Sequence, residues 1–167
     1  MDRYCTECGK LTMQKRDNLF ICENGHENFL DPAPAAVIYI LHDNKVLFGY
    51  RSIEPNKGGL NTAGGFINIG ETAEDAALRE VREEFGIDVV LIDHLGSYAV
   101  DYANIHKPVL CITFIAEYRG GDITPGDDMS GGDPVWRTFD NLPTADELAW
   151  DWQVKAQEDL IKWRQIQ

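Results

Sequence analysis

Glu80, Glu83 and Glu84 fall within five consecutive positions of this chain, interleaved with Arg79 and Arg82 and downstream of the pair Gly64-Gly65. At roughly 100° per residue, acids at i, i+3 and i+4 share one face of a helix. Like charges so placed repel by about 0.2–0.5 kcal/mol per pair in an isolated helix, so something should compensate. Arg79, four residues before Glu83, offsets part of it. A solvated helix of mixed charge can carry such a cluster. A hard divalent cation, however, wants several carboxylate oxygens converging from a rigid element. Glycines ahead of the helix can bring a backbone carbonyl to the same ion with no side chain in the way. Such an ion shields an anionic substrate and lowers the pKa of a bound water, while a nearby carboxylate takes the proton.

A second group of chemistry-bearing residues sits near the start. Cys5-x2-Cys8 and Cys22-x3-His26 are paired soft ligands from two knuckles, which suits tetrahedral Zn²⁺. Cys111 stands inside an apolar run and reads as core.

These residues need elements to hold them. The chain changes character at "LDPAPAA", which predicts a small cysteine-bearing module over residues 1–30 and a larger α/β domain over 31–167. In the larger part, Val37–Leu41 and Lys45–Arg51 read as strands around an Asp43-Asn44 hairpin turn. "EPNKGGLNTAGGF" reads as loop. Thr72–Phe85 reads as a helix with Leu78, Val81 and Phe85 on its packing stripe and Gly86 ending it. "VVLIDHLGSYAV", "VLCITFIAEY" and "VWRTF" read as strands, with "GGDITPGDDMSGGDP" as an unstructured connection. Residues 146–166 read as a second helix, with Leu160 and Trp163 among its buried positions.

The 167 residues are 44% hydrophobic and carry a formal net charge of −13. That is enough chain and apolar surface for one domain with an appendage. So acidic a surface repels phosphate backbones and anionic lipids, which disfavours nucleic acid and membrane as partners. A small anionic substrate remains compatible if a bound cation reverses the local sign. The apolar run "AAVIYIL" is too short to span a bilayer, and the first ten residues lack the order of a signal peptide. The expectation is therefore a cytoplasmic protein with reduced cysteines.

Gly65-x5-Glu71-x7-Arg79-Glu80-Val81-x-Glu83-Glu84-x-Gly86-Ile87 resembles the Nudix box, G-x5-E-x7-R-E-U-x-E-E-x-G-U, with every fixed position filled. The resemblance implies an α/β/α sandwich with a mixed sheet. It also implies divalent-metal-dependent hydrolysis of the pyrophosphate bond of a nucleoside diphosphate linked to another moiety. Carried over position by position, Glu80, Glu83 and Glu84 bind Mg²⁺ or Mn²⁺, and the backbone of Gly64 or Gly65 adds a carbonyl. Arg79 orients a box carboxylate, and Glu71 stabilises the loop. Glu80 is the first candidate for the general base. In parts of the family an acid outside the box serves instead, for which Glu117, Asp127, Asp128 and Asp133 are available.

The cysteine segment looks like the zinc ribbon found ahead of some Nudix domains, the NADH-pyrophosphatase-like group included. Its second knuckle departs from C-x2-C and leaves His26 as the expected fourth ligand. "DPAPAAVIYIL", "VLFGYRSIEPNKGGLNTAGGF" and "ELAWDW" look like counterparts in the ADP-ribose and NADH pyrophosphatases. Leu60 and Thr62-Ala63 stand where a Trp and a Leu-Pro pair usually precede the box. The S-Q-P-x-P-F-P-x-S motif of dedicated NADH pyrophosphatases is absent, which favours an ADP-ribose-type substrate over NADH or a nucleotide sugar. Tyr98, Tyr102 and Asn104 echo residues of the ADP-ribose group. Phe66, Tyr98, Tyr102 and Trp136 are candidates to stack on a base. Arg51 and Lys57 are candidates to touch phosphate oxygens. The implied partner is thus a small nucleoside diphosphate derivative, with a homodimer left open. Two rivals keep the fold: a non-catalytic nucleotide sensor, against which the intact box argues, and an RNA-end or RNA-binding protein, against which the charge argues.

Overall fold

The computed structural model describes the backbone of residues 2–102 and 107–167, and the side chains of these except 101, 102 and 107. The chain divides into two compact units, Met1–Pro32 and Ala33–Gln167.

The smaller unit is a three-stranded antiparallel sheet of β1 (Thr12–Arg16), β2 (Leu19–Cys22) and β3 (Glu27–Phe29), in that spatial order. Its buried residues are Cys5, Thr12, Leu19 and Cys22. With Leu19 as its one buried aliphatic side chain, the sheet cannot be held by apolar burial alone, since a buried leucine contributes only about 1.5–3 kcal/mol.

In the larger unit β4 (Ala33–His42) is central. Asp43 and Asn44 both take positive φ, 44° and 62°, the geometry of a tight two-residue hairpin turn, and β5 (Lys45–Tyr50) returns antiparallel. The sequence segment expected to be loop contains two short strands, β6 (Leu60–Asn61) and β7 (Ala63–Phe66). There follow α1 (Ala73–Phe85), β8 (Val89–Tyr102), β9 (Lys107–Tyr118), β10 (Val135–Thr138) and α2 (Trp152–Ile166). The sheet runs β10-β5-β4-β9-β8, with β4 and β9 parallel and the other pairs antiparallel. It is the mixed sheet expected.

One edge of β4 serves two partners. Leu41 and His42 pair with β5, whereas Ala35–Ile38 pair with β7, and β6 hangs instead on Gly49 and Tyr50 of β5. The chain thus forks, and Asn61-Thr62 lies at the fork. The two glycines of β7 are there for close approach rather than for a turn. A Cβ on Gly64 would come within 2.7 Å of the Ala36 carbonyl oxygen. That is why a Gly-rich segment that reads as loop is a strand.

The continuous apolar run of β4 follows from burial on both faces. Ile38 and Ile40 pack with Ala77, Val81 and Phe85 of α1, together with Leu47, Phe114 and Met129. Tyr39 faces the other way, with Phe48 and Ile115, against Ala156 and Leu160 of α2. The layers are therefore helix, sheet, helix. The α1 stripe runs Ala77, Val81, Phe85 at i, i+4 spacing, and Leu78 is only half-buried.

Two further boundaries depart from the sequence reading. The Gly/Asp connection contains a short 3-10 turn, Asp127–Met129, whose Met129 is fully buried against α1. Residues 146–151 are not helical, because Glu147 and Ala149 give their backbone groups to Leu60, at 2.8 Å each. A tertiary pairing outcompetes the local helical pattern, and α2 begins only at Trp152.

Candidate active site

The acidic helix is positioned from both ends. Thr72 caps its start, with Oγ1 accepting the Asp75 amide at 3.1 Å, and Gly86 ends it at φ 68°, returning its amide to the Arg82 carbonyl. Packing Ala77 and Val81 on the sheet turns the adjacent arc of α1 toward β7. Glu80 and Glu84 are consequently buried, each 8% exposed, while Glu83 stays open. The Gly64 amide donates to Glu84 Oε2 at 2.8 Å. Gly65 lies directly against Glu80, so closely that a Cβ there would sit 2.4 Å from Oε1.

Arg79 ties the loop to the helix. Its Nε donates to Glu71 Oε1 at 2.8 Å and its Nη1 to Glu80 and Glu83 at 2.6 and 2.9 Å. Nη2 donates to the Phe66 carbonyl and to Glu71 Oε2, at 3.0 and 3.1 Å. The guanidinium holds the Glu71 carboxyl down to about 2, and Glu71 in return raises the arginine's own pKa. Glu71 also accepts the Asn68 amide at 2.9 Å, so it braces the loop.

Burial pushes Glu84 up to about 8; the Gly64 amide opposes this, the Glu80 and Asp128 charges add to it, and Arg51 opposes it. Glu80 is raised by the same desolvation, against the pull of Arg79. Glu80, Glu83, Glu84, Asp127 and Asp128 together line one cleft. Converging carboxylates of which one arginine reaches only two, Glu80 and Glu83, are costly to bury unless a cation joins them. Hard oxygen donors on a rigid helix fit a divalent ion of the Mg²⁺ or Mn²⁺ type. Of the acids outside the box, Glu117 is instead paired with Arg119 at 2.8 Å, and Asp133 does not line the cleft.

Beside it a half-open pocket lies against the other side of β7. Gly64, Gly65, Phe66 and Arg51 line it, with Asn61, Trp150 and Trp152. Arg51 is buried; its Nε donates to the Pro55 carbonyl at 3.0 Å and its guanidinium lies 5.1 Å from the Trp150 ring centre. Tyr98 does not line the pocket. It packs behind it on Trp152, ring centres 5.5 Å apart, with its hydroxyl donating to Asp159 at 3.2 Å. Lys57 is exposed on the loop, and Trp136 packs with His42 and Tyr118 away from this pocket. The Tyr102 side chain and Asn104 lie outside the described residues. The sequence reading did not single out Asn61, Trp150 or Trp152 as site residues. The only signal was the "WDW" spacing.

In the smaller unit Cys5, Cys8, Cys22 and His26 bring their ligand atoms within 4.8 Å of one another. Cys8 and Cys22 sulfurs are 3.8 Å apart, and Cys5 Sγ is 3.6 Å from His26 Nδ1. Tetrahedral zinc with Zn–S of about 2.3 Å and Zn–N of about 2.0–2.1 Å requires edges of about 3.8 and 3.6 Å, so the donor set fits that ion. His26 Nε2 faces Glu7 at 3.8 Å, and Asn28 Nδ2 donates to Cys5 Sγ at 3.4 Å. Such outer partners orient the ligands.

Comparison with known proteins places these features. The family model described as NUDIX domain matches residues 31–158. An ADP-ribose pyrophosphatase of Methanocaldococcus jannaschii is 35% identical over 136 residues, 81% of this chain and 77% of that protein. An NAD-capped RNA hydrolase NudC of Haemophilus influenzae is 31% identical over 126 residues, 73% of this chain but 46% of that protein. The chain therefore spans about half the length of that relative. A NUDIX hydrolase structure from Nitrosomonas europaea superposes with a TM-score of 0.72 at 21% identity, covering 95% of this chain and 88% of that one.

Proposed function

Because this chain belongs to the NUDIX domain family, we propose that it hydrolyses the pyrophosphate bond of a nucleoside diphosphate joined to a second moiety, ADP-ribose being favoured. The observation that carries this is the convergence of Glu80, Glu83, Glu84, Asp127 and Asp128 on one cleft beside a pocket lined by aromatic rings and Arg51.

Glu80, Glu83 and Glu84 would hold Mg²⁺ or Mn²⁺, with a Gly64 or Gly65 carbonyl as a further donor. When bound, that ion neutralises the diphosphate and lowers the pKa of the attacking water. Arg79 keeps the Glu80 and Glu83 carboxylates turned to the cleft, and the Gly64 amide does the same for Glu84. The Arg51 guanidinium is the cation of the neighbouring pocket and is placed to meet phosphate oxygens. The water oxygen forms a bond to one phosphorus as the bridging P–O bond breaks. Its electron pair leaves with the second phosphate, and the water's proton passes to a carboxylate of the cleft. Glu80, whose Oε1 accepts from Arg79 and whose Oε2 remains, is the first candidate for that proton, and Asp127 and Asp128 of the same cleft are the candidates from outside the box. From ADP-ribose the products are AMP and ribose 5-phosphate.

The name of the Haemophilus relative supports a second substrate class, the NAD-type dinucleotide, free or at an RNA end. The net charge of −13 favours the free small molecule over one carried on RNA. No helix among the described residues is long and apolar enough to cross a membrane. The Cys5, Cys8, Cys22 and His26 cluster would hold a structural Zn²⁺. The test is a panel of ADP-ribose, NADH, a nucleotide sugar and NAD-capped RNA, assayed with Mg²⁺ and with Mn²⁺. Metal-dependent release of a nucleoside monophosphate, fastest from ADP-ribose, is expected. Absence of turnover of every substrate overturns the reading.

A further inference from the structure

The pocket beside the acidic cleft has a fixed hydrogen-bonding polarity, and its origin is a main-chain amide. Trp150 N can only donate, and it donates to Gln153 Oε1 at 3.2 Å. That commits the other end of the Gln153 amide to be Nε2, which donates to Asn61 Oδ1 at 3.0 Å. With Oδ1 taken, the Asn61 amide atom left over is Nδ2, a donor. Gln153 is fully buried and Asn61 is 7% exposed, so neither amide can turn without leaving a buried polar group unpaired. Asn61 lines the pocket, and no hydrogen bond engages its Nδ2 among the described residues. Thr62, on the same wall, keeps a buried hydroxyl without a partner there. The aromatic walls are Trp150, Trp152 and Phe66.

We propose that Asn61 is the specificity-determining donor of this pocket, reading a ring-nitrogen acceptor of a purine base packed among those aromatic side chains, and that Gln153 is the positioning residue that sets its polarity. This rests on the proposed function, whose nucleoside it orients, but it concerns only how the base is read. An exocyclic amine cannot satisfy Nδ2, because both groups donate. A ring nitrogen can.

The test is equilibrium binding of AMP and of its 1-deaza, 3-deaza and 7-deaza analogues to the full chain, with turnover of ADP-ribose measured separately. Removing the acceptor that Asn61 reads leaves Nδ2 buried and unpaired, so one analogue is expected to bind about five- to a hundredfold more weakly than AMP. In Asn61→Leu the same analogue and AMP are expected to bind alike. In Gln153→Glu the Asn61 amide is expected to turn, so that AMP binding falls by a similar factor and the deaza penalty disappears. Thermal melting screens the variants for folding, and the wild-type comparison decides even where a variant does not fold. Equal binding of all four ligands to the wild-type chain, a deaza penalty that persists in Asn61→Leu, or no AMP binding overturns the inference. Failure of ADP-ribose turnover with a retained deaza penalty sinks the substrate reading alone.

Discussion

Glu84 is the side chain on which geometry and titration meet most clearly. Its folded-state pKa of about 8 lies above the ordinary 4.5. The stabilisation from its proton is therefore complete below the ordinary value and is lost as pH rises through about 8. The metal-free protein should melt at progressively lower temperature between about pH 5 and about pH 8, and a saturating divalent ion should flatten that slope. Glu71, held at about 2, has the opposite sign, and its contribution is lost only as pH falls below the ordinary carboxylate range. Calorimetric metal titration near pH 7 in two buffers of different ionisation enthalpy should report protons released on binding. Identical heats in both buffers would contradict a protonated Glu84. Glu83→Gln and Glu84→Gln should each lower kcat by about a hundredfold or more with a melting temperature near that of the parent, the loss expected when a charge-stabilising ligand is removed. Steady-state kinetics with circular dichroism checks both. That these glutamates share one face of a helix was legible from spacing alone. That Glu80 and Glu84 are buried while Glu83 is open was not, because burial depends on which arc of α1 meets β7.

Among elements, the α1–β7 contact is the one the cleft depends on. Gly65 has room for hydrogen only, its absent Cβ pointing at the Glu80 carboxylate. Gly65→Ala should push that carboxylate aside and weaken metal affinity about tenfold or more, with a smaller loss of stability. The metal concentration giving half-maximal activity, set beside a thermal melt, separates the two effects. Helices, hairpin and long strands were readable because each is specified by near neighbours: the Thr72 cap, the Gly86 terminator, the Asp43-Asn44 turn. The strands β6 and β7, the delayed start of α2 and the buried Met129 were not readable. Each exists through partners far along the chain, such as Ala36 for Gly65 and Leu60 for Ala149. Local propensity carries no information about those pairings.

At the scale of the molecule the two units differ in what holds them. Ala33–Gln167 has apolar clusters on both faces of its sheet, whereas Met1–Pro32 buries little besides Leu19 and two thiols. Metal-free folding of the smaller unit is therefore expected to be unfavourable. Elemental analysis should find about one zinc per chain, the expectation for one such ligand set. A strong chelator, or Cys8→Ser, should abolish amide-exchange protection in β1–β3 while leaving that of β4 and β9 intact. Retained protection in β1–β3 without metal would show that the ligand cluster is dispensable.

The sequence by itself determined the identity and spacing of the candidate acids and ligand thiols, because a helix's period and a ligand knuckle's length are properties of adjacent residues. Tertiary structure alone decided which acids from outside the box join them, which amide of β7 grips Glu84, and which polarity Asn61 presents. Those follow from where distant segments cross, and a crossing is fixed by the packing of whole layers rather than by any local pattern.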